Sequence, residues 1–159
     1  MKNILIVAIT LFIFSCNSSA QDKKEAVAYS ITQTDAQWKL DLSEMQYNVL
    51  RKAGTERPFS SPLNKVYDEG TYVCAACSNE LFEGKNKFDS GTGWPSFDKE
   101  IEGNVAFDVD YKLGYARTEE HCAACGGHLG HVFNDGPATT GKRHCINGAA
   151  LRFIPKKTE

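Results

Sequence analysis

The cysteines are the residues best able to do chemistry in this chain, which has six of them in 159 residues. Four form two Cys-x-x-Cys pairs, Cys74 with Cys77 and Cys122 with Cys125. Such a pair can present two thiolates to one metal ion, and two pairs complete a tetrahedral site of the kind that binds structural zinc. Because sulfur fills all four positions, no position remains for a reacting water. The spacing therefore predicts a structural Zn²⁺ site.

Two other interpretations of the paired cysteines remain open. An exported chain could oxidise each pair to a disulfide, although a disulfide that closes so short a loop adds little stability. A redox-active Cys-x-x-Cys is typical of a thioredoxin-like βαβ unit, and the sequence lacks that context. Since the two pairs lie far apart in the chain, a shared metal would join distant parts of the fold.

Cys145 is separate from both pairs and stands in the sequence Lys-Arg-His-Cys-Ile-Asn. In an extended chain Arg143, Cys145 and Asn147 share one face. His144 and Ile146 share the other face. A guanidinium beside the sulfur lowers the pKa of the thiol, and a nearby amide can bind a polar oxygen. The pattern favours a reactive thiolate, with an inert buried cysteine as the alternative.

Two further motifs could complete a site around this thiol. The sequence His128-Leu-Gly-His131 supplies two imidazoles as metal ligands, proton donors or polar core residues. Since four sulfurs already satisfy the predicted metal, we favour a place for both histidines in the reactive site. Gly130 between them would give the backbone conformational freedom. A glycine-rich turn precedes Trp94, whose indole could line a pocket or fill the core. His121 and His144 are interpreted as bystanders.

Two short helices are predicted before these motifs. Asp35 can cap a first helix that carries Trp38, and Ser43 with Gln46 forms a capping box for a second. Gly54 supplies a stop. The residues that fall on one face of the second helix are Met45, Val49, Leu50 and Ala53.

Beyond residue 54 the hydrophobic pattern changes to a period of two, most clearly over residues 105–111. This alternation is typical of β-strands. Further strands are predicted at residues 70–74, 115–118, 144–147 and 150–154. The fold class is therefore mainly β (α+β), with antiparallel strands after two N-terminal helices.

The first 33 residues are not expected to belong to the fold. Residues 1–20 have a basic start, an apolar run and small polar residues, as secretory signal peptides do. Cleavage could follow Ala20, or the segment could be a lipoprotein signal with Cys16 lipidated, which we favour. Residues 21–33 form a polar tether and residues 34–156 the domain. We expect a protein of the bacterial periplasm or cell envelope, membrane-anchored if lipidated.

The composition limits the class of partner. The formal net charge is -2 and 42% of the residues are hydrophobic. The sequence pI of about 6.1 gives no basic field of the kind that nucleic-acid binders use. We therefore expect no nucleic-acid partner, and a domain that acts as a monomer.

Taken together, these motifs resemble those of the B-type methionine sulfoxide reductases, which reduce the R epimer of the sulfoxide. The resemblance extends over about residues 38–155 in the family's order. It rests on four stretches, Gly-Thr-Glu-Arg-Pro-Phe at 54–59, Lys-Phe-Asp-Ser-Gly-Thr-Gly-Trp-Pro-Ser-Phe at 87–97, His-Leu-Gly-His-Val-Phe-Asn-Asp-Gly-Pro at 128–137 and Arg-His-Cys-Ile-Asn-Gly at 143–148.

The resemblance implies two antiparallel sheets with N-terminal helices, and a zinc-containing form of the enzyme. Cys145 would be the nucleophile that attacks the sulfoxide sulfur and becomes a sulfenic acid. Trp94 would pack against the substrate's S-methyl group. The residues implied on the polar side are His128, His131, Asp135, Arg143 and Asn147, with the proton donated by the histidine pair and His131 favoured. The implied substrates are oxidised methionine residues in proteins or peptides, repaired after oxidative stress.

Two positions depart from the family pattern. Thr92 stands where many relatives carry a resolving cysteine, so we expect no intramolecular disulfide of Cys145. A thioredoxin-like protein or a small thiol would then reduce the sulfenic acid. His144 stands at a position that is usually aromatic and is expected to point away from the site. The alternative function is a zinc-stabilised binding module with an inert Cys145.

Overall fold

The computed structural model describes residues 28–157, so the predicted signal with Cys16 and most of the predicted tether lie outside it. The helices are α1 (Asp35–Asp41) and α2 (Glu44–Lys52). Single 3-10 turns cover Pro62–Lys65, Gly84–Asn86 and Gly148–Ala150. The strands are β1 (Gly70–Cys74), β2 (Glu80–Glu83), β3 (Lys87–Phe88), β4 (Ser96–Phe97), β5 (Val105–Asp110), β6 (Arg117–Cys122), β7 (His128–Phe133), β8 (Arg143–Ile146) and β9 (Leu151–Pro155).

The strands form two antiparallel sheets, which confirms the predicted fold class. The smaller sheet has the order β2-β1-β9, and the larger has the order β3-β4-β8-β7-β6-β5. Its central strands β7 and β8 carry His131 and Cys145, which pair directly across the sheet. Within residues 28–157, no helix is long and apolar enough to span a membrane.

The helix caps differ partly from the prediction. The capping box of Ser43 and Gln46 is confirmed at α2. The N-cap of α1 is Thr34, whose hydroxyl accepts a hydrogen bond from the backbone N–H of Gln37, so Asp35 is the first helical residue and not the cap.

The end of α2 also differs from the predicted glycine stop. Helix α2 ends at Lys52, and its C-cap is Ala53, which has a left-handed φ of 49°. Gly54 follows it and is needed for space, because an added Cβ would lie 2.3 Å from the Asn48 side chain.

Only part of the predicted face of α2 is buried. Val49 and Leu50 are buried, whereas Met45 is 48% exposed. The helix packs on β7 and on the 148–150 turn, and the Arg51 guanidinium donates to the carbonyl of Cys125 at 3.0 Å. Helix α2 therefore supports strand β7, the turn that follows β8, and the second Cys-x-x-Cys pair.

Aromatic packing joins the two sheets. Phe82 of β2 stacks on Phe97 of β4 with ring centroids 4.4 Å apart. Tyr72 of β1 meets the edge of Phe97 at 4.9 Å and also contacts Phe153 of β9. Burying each ring stabilises the fold by roughly 1.5–3 kcal/mol, so this cluster fixes the position of one sheet against the other.

The predicted strand at residues 105–111 forms as β5, but only the start of its apolar alternation faces the core. Val105 is buried, whereas Phe107 is 48% and Val109 is 54% exposed and Asp110 is buried. Strand β5 is the edge of the larger sheet, and its apolar side chains beyond Val105 are not covered. The remaining predicted strands form at β1, β6, β8 and β9, displaced by a few residues from the predicted bounds at β6, β8 and β9.

Candidate active site and metal site

The four paired cysteines form one cluster, with their sulfurs within 4.8 Å of one another. The Sγ atoms of Cys74 and Cys125 are 3.8 Å apart, and those of Cys77 and Cys122 are 3.6 Å apart. A disulfide needs about 2.05 Å, whereas a tetrahedral zinc with Zn–S bonds of about 2.3 Å separates its sulfurs by roughly 3.8 Å. All four thiols are free, so the cluster fits a metal and not a pair of disulfides.

The same backbone turn builds both halves of the cluster. The N–H of Ser78 donates to the carbonyl of Cys74, and the N–H of Gly126 donates to that of Cys122. Ser78 and Gly126 have left-handed φ values of 66° and 69°. Asn79 Nδ2 also donates to the sulfur of Cys122 at 3.5 Å. These turns aim two sulfurs from each chain segment at one point.

The cluster links the two sheets. Cys74 ends β1 in the smaller sheet, and Cys122 ends β6 in the larger one. A bound ion would therefore fasten the sheets together at one end, as the long separation of the two pairs in the chain predicts.

Cys145 lies apart from this cluster at a cavity of about 180 Å³ on one face of the larger sheet. The thiol is half-buried. The register places Cys145 between His131 of β7 and Ser96 of β4. The cavity is lined by Thr55, Trp94, Arg117, Gly130, His131, Phe133, Cys145 and Asn147.

Gly130 allows strands β7 and β8 to approach beside the thiol. A Cβ at this position would lie 2.0 Å from the carbonyl oxygen of Cys145. The glycine is therefore required for space, and the conformational freedom that the sequence suggested is not its role.

The pKa of the Cys145 thiol is raised above its ordinary value, because burial disfavours the thiolate. The Arg143 guanidinium and a hydrogen bond from Thr92 act in the opposite direction. The sequence prediction of a lowered pKa was wrong in its net direction, since the burial outweighs the neighbouring positive charge.

Arg143 is itself fixed by two neighbours. Its Nε and Nη2 each donate to the carboxylate of Asp135 at 2.9 Å. Its guanidinium also lies over the Phe133 ring, 4.5 Å from the centroid. Asp135 is exposed and does not line the cavity. The structure therefore places Asp135 behind Arg143, and its role as a substrate contact stays a prediction.

The two histidines occupy different positions. His131 lines the cavity, and its Nε2 lies 2.8 Å from Asp110 Oδ2. His128 is buried, does not line the cavity, and pairs its Nδ1 with Glu119 at 2.6 Å. Burial lowers the pKa of His131 although Asp110 opposes this. The geometry thus favours His131 for contact with a ligand.

Trp94 and Asn147 are held by one residue that the sequence interpretation missed. The Trp94 indole N–H donates to the Glu56 carbonyl at 3.2 Å. The Glu56 N–H donates to Asn147 Oδ1 at 3.0 Å. The buried Glu56 carboxylate accepts from the backbone N–H groups of Gly148 and Ala149. Glu56 lies in the matching stretch 54–59, and an acidic residue in such a loop was the available signal.

Arg117 was also missed. It lines the cavity and pairs with Asp110, the same carboxylate that holds His131. The Arg-Thr-Glu-Glu sequence at the start of β6 carries no metal or nucleophile motif, so only the sheet register could have brought Arg117 to the site.

His144 points to the opposite face of β8 from Cys145, as predicted, but it is more than a bystander. It is buried, with Nδ1 2.6 Å from Glu120 and Nε2 3.2 Å from Glu100. Glu120 is fully buried, and its Oε2 has no hydrogen-bond partner within residues 28–157. His144 therefore pairs with a buried carboxyl group behind the reactive strand.

The fold and the two sites define a two-sheet domain with a four-cysteine cluster and a separate cysteine at a ligand-sized cavity. The SelR domain model matches residues 42–155, and the chain belongs to this family. Two peptide methionine sulfoxide reductases MsrB are similar over 79% of the chain. That of Bradyrhizobium diazoefficiens is 53% identical with 91% of its length covered, and that of Leptospira interrogans is 51% identical with 96% covered. The MsrB of Methanosarcina barkeri is 50% identical over 82% of the chain and 90% of its own length.

Proposed function

We propose that the protein is a peptide-methionine (R)-S-oxide reductase with Cys145 as its nucleophile. The observation that carries this proposal is the position of the Cys145 thiol in a cavity of about 180 Å³ with Trp94 and His131. An indole suits the polarisable S-methyl group of methionine. An imidazole suits the sulfoxide oxygen, so the two side chains distinguish the two substituents on the sulfur and thereby the epimer.

The first step transfers the sulfoxide oxygen to the enzyme. The Cys145 thiolate attacks the sulfoxide sulfur, a proton reaches the departing oxygen, and the products are methionine and a Cys145 sulfenic acid. The sulfoxide sulfur gains two electrons and the Cys145 sulfur loses them. His131 contacts the cavity and is our candidate for delivering the proton, while Arg143 stabilises the negative charge on the sulfur before attack.

The second step must use a thiol from outside the chain. Thr92, whose side chain acts on the pKa of the Cys145 thiol, stands at the position where a resolving cysteine would stand. An external thiol attacks the sulfenic sulfur and releases water, and a second thiolate then breaks the mixed disulfide and frees Cys145. A thioredoxin-like protein or a small thiol fits this requirement.

We also propose that the four-cysteine cluster holds zinc. Four thiolates at sulfur separations of 3.6–3.8 Å suit this ion. With four sulfurs as ligands, zinc would support the fold and take no part in the reduction. Cys74, Cys77, Cys122 and Cys125 would hold it.

The location of the protein follows only from the sequence of residues 1–20. We propose export by this segment, with lipidation at Cys16 as the favoured form, and hence repair of oxidised methionine residues in envelope proteins. Metabolic labelling with a fatty-acid analogue, in the native chain and in Cys16→Ser, distinguishes a lipid anchor from ordinary cleavage.

Separate R and S epimers of a blocked methionine sulfoxide test the reaction, with dithiothreitol as the reductant. We expect turnover of the R epimer alone, and its complete loss in Cys145→Ser. Absence of turnover with either epimer, in protein that retains its metal, would instead support a metal-stabilised binding module.

A further inference from the structure

The sheet register places Arg117 on the same face as Cys145. His131 pairs with both Cys145 and Glu119, so these three side chains share one face. Arg117 lies two residues before Glu119 on β6 and therefore points to that face as well. Consistent with this, Arg117 lines the cavity.

The backbone of Arg117 lies far across the sheet from the reacting sulfur. It lies two strands away from Cys145, and adjacent strands are about 4.8 Å apart. A substrate sulfur in contact with Cys145 leaves the rest of the methionine side chain to extend along the cavity. Its three-bond path from sulfur to Cα spans roughly 4 Å, which brings the substrate's main chain toward the Arg117 side.

The Arg117 guanidinium has donors left for a ligand. Of its five N–H groups, a hydrogen bond to Asp110 uses Nη2. Within residues 28–157, Nε is buried and has no hydrogen-bond partner, so it is closed to a ligand in the cavity. Because Arg117 lines the cavity, the remaining terminal N–H groups of the guanidinium are the donors that an acceptor on the substrate would engage.

The charges around Arg117 balance. Hydrogen bonds from the Lys112 N–H and from His131, together with Arg117, hold the pKa of Asp110 well below its usual range. Asp110 is therefore negative and offsets the positive charge of Arg117. Because the pair of Arg117 and Asp110 carries no net charge, it favours a neutral carbonyl oxygen as hydrogen-bond acceptor over a carboxylate.

We propose that Arg117 is a substrate-binding residue that donates a hydrogen bond to the main-chain carbonyl of the sulfoxide residue. The proposal rests on the proposed reductase function and deepens it. It names the residue that would recognise the amide carbonyl of methionine sulfoxide within a polypeptide and would disfavour the carboxylate of the free amino acid.

Three R-configured substrates separate the parts of this proposal. N-acetyl-methionine sulfoxide N-methylamide carries the peptide carbonyls, free methionine sulfoxide carries a carboxylate, and ethyl methyl sulfoxide carries no main chain. Arg117→Met removes all donors at similar length, and Arg117→Lys keeps a cation beside Asp110. Lys112→Met is the matched control, because it removes a cation from the same hairpin. The Lys112 ammonium group donates to the carbonyl of Ala53, and Lys112 does not line the cavity.

For Arg117→Met we expect KM for the diamide to rise about 10- to 100-fold, as for loss of a charge-assisted hydrogen bond, with kcat unchanged. Ethyl methyl sulfoxide should be reduced as by the native enzyme. Arg117→Lys should recover part of the affinity for the diamide, and Lys112→Met should match the native enzyme with every substrate.

Several results would overturn the proposal. An equal loss with ethyl methyl sulfoxide and the diamide would mean that Arg117 acts at the sulfur or through Asp110 and His131. Unchanged kinetics with the diamide would exclude a contact, and a larger loss with the free amino acid would make the carboxylate the ligand. Failure of the proposed function itself looks different, because the native enzyme would then reduce none of the three substrates.

Discussion

The Thr92 side chain interacts with the Cys145 thiol and acts to lower its pKa, so a cysteine in its place would lie near the nucleophile. We predict that Thr92→Cys, exposed to methionine sulfoxide without reductant, forms a disulfide with Cys145 and loses both thiols. The native chain should keep a sulfenic acid that a dimedone reagent traps. Thiol titration and peptide mass spectrometry measure both. A disulfide between Cys145 and any native cysteine of the chain would contradict the assignment of an external reductant.

The raised pKa of Cys145 predicts how its reactivity depends on pH. Because only the thiolate reacts, alkylation by iodoacetamide should accelerate tenfold per pH unit until the pH exceeds the pKa, which lies above the ordinary value of about 8.5. Arg143→Met removes a positive charge that lowers this pKa, so its alkylation profile should move to still higher pH. Lys142→Met, which removes the exposed neighbouring cation, should leave the profile in place. A midpoint below that of free cysteine would show that burial does not dominate.

The sequence identified the groups that carry a local signature and missed those that depend on the sheet register. Cys-x-x-Cys spacing located all four sulfurs that meet within 4.8 Å, and strand periodicity placed Cys145 and His144 on opposite faces. Arg117 and Asp110 have no motif. Arg117 reaches the cavity, and Asp110 contacts Arg117 and His131, only because β5, β6 and β7 pair in a particular register.

The net pKa of Cys145 was mispredicted for a related reason. The residues beside Cys145 in the chain reveal the guanidinium, but the depth of burial is a property of the whole fold. The same applies to Phe107 and Val109, whose alternation predicts a strand and not which face of it is covered.

His144 is predicted to contribute to stability through Glu120. His144→Ala would leave the fully buried Glu120 carboxyl group without its hydrogen-bond partner, at a cost of about 1–3 kcal/mol in the free energy of unfolding. Urea denaturation measures this loss. The double variant Glu120→Leu with His144→Leu removes both polar groups and should recover most of the stability. If His144→Ala unfolds at the same urea concentration as the native protein, the pair of His144 and Glu120 contributes nothing to stability.

The four-cysteine cluster predicts a stability that depends on metal and on pH. Thiols must lose their protons to bind a metal, so acidification makes protons compete for the sulfurs and releases the ion. We expect one zinc per chain, freed as the pH falls and detected by a colorimetric chelator, with a lower unfolding temperature once it has left. Cys77→Ser should lose the metal, and its free energy of unfolding should fall by roughly several kcal/mol.

Cys145→Ser is the control, because it makes the same chemical change outside the cluster. It should keep the metal and the stability while it loses activity. Metal-free protein that unfolds at the native temperature would show that the packing of Tyr72, Phe82 and Phe97 alone holds the two sheets together.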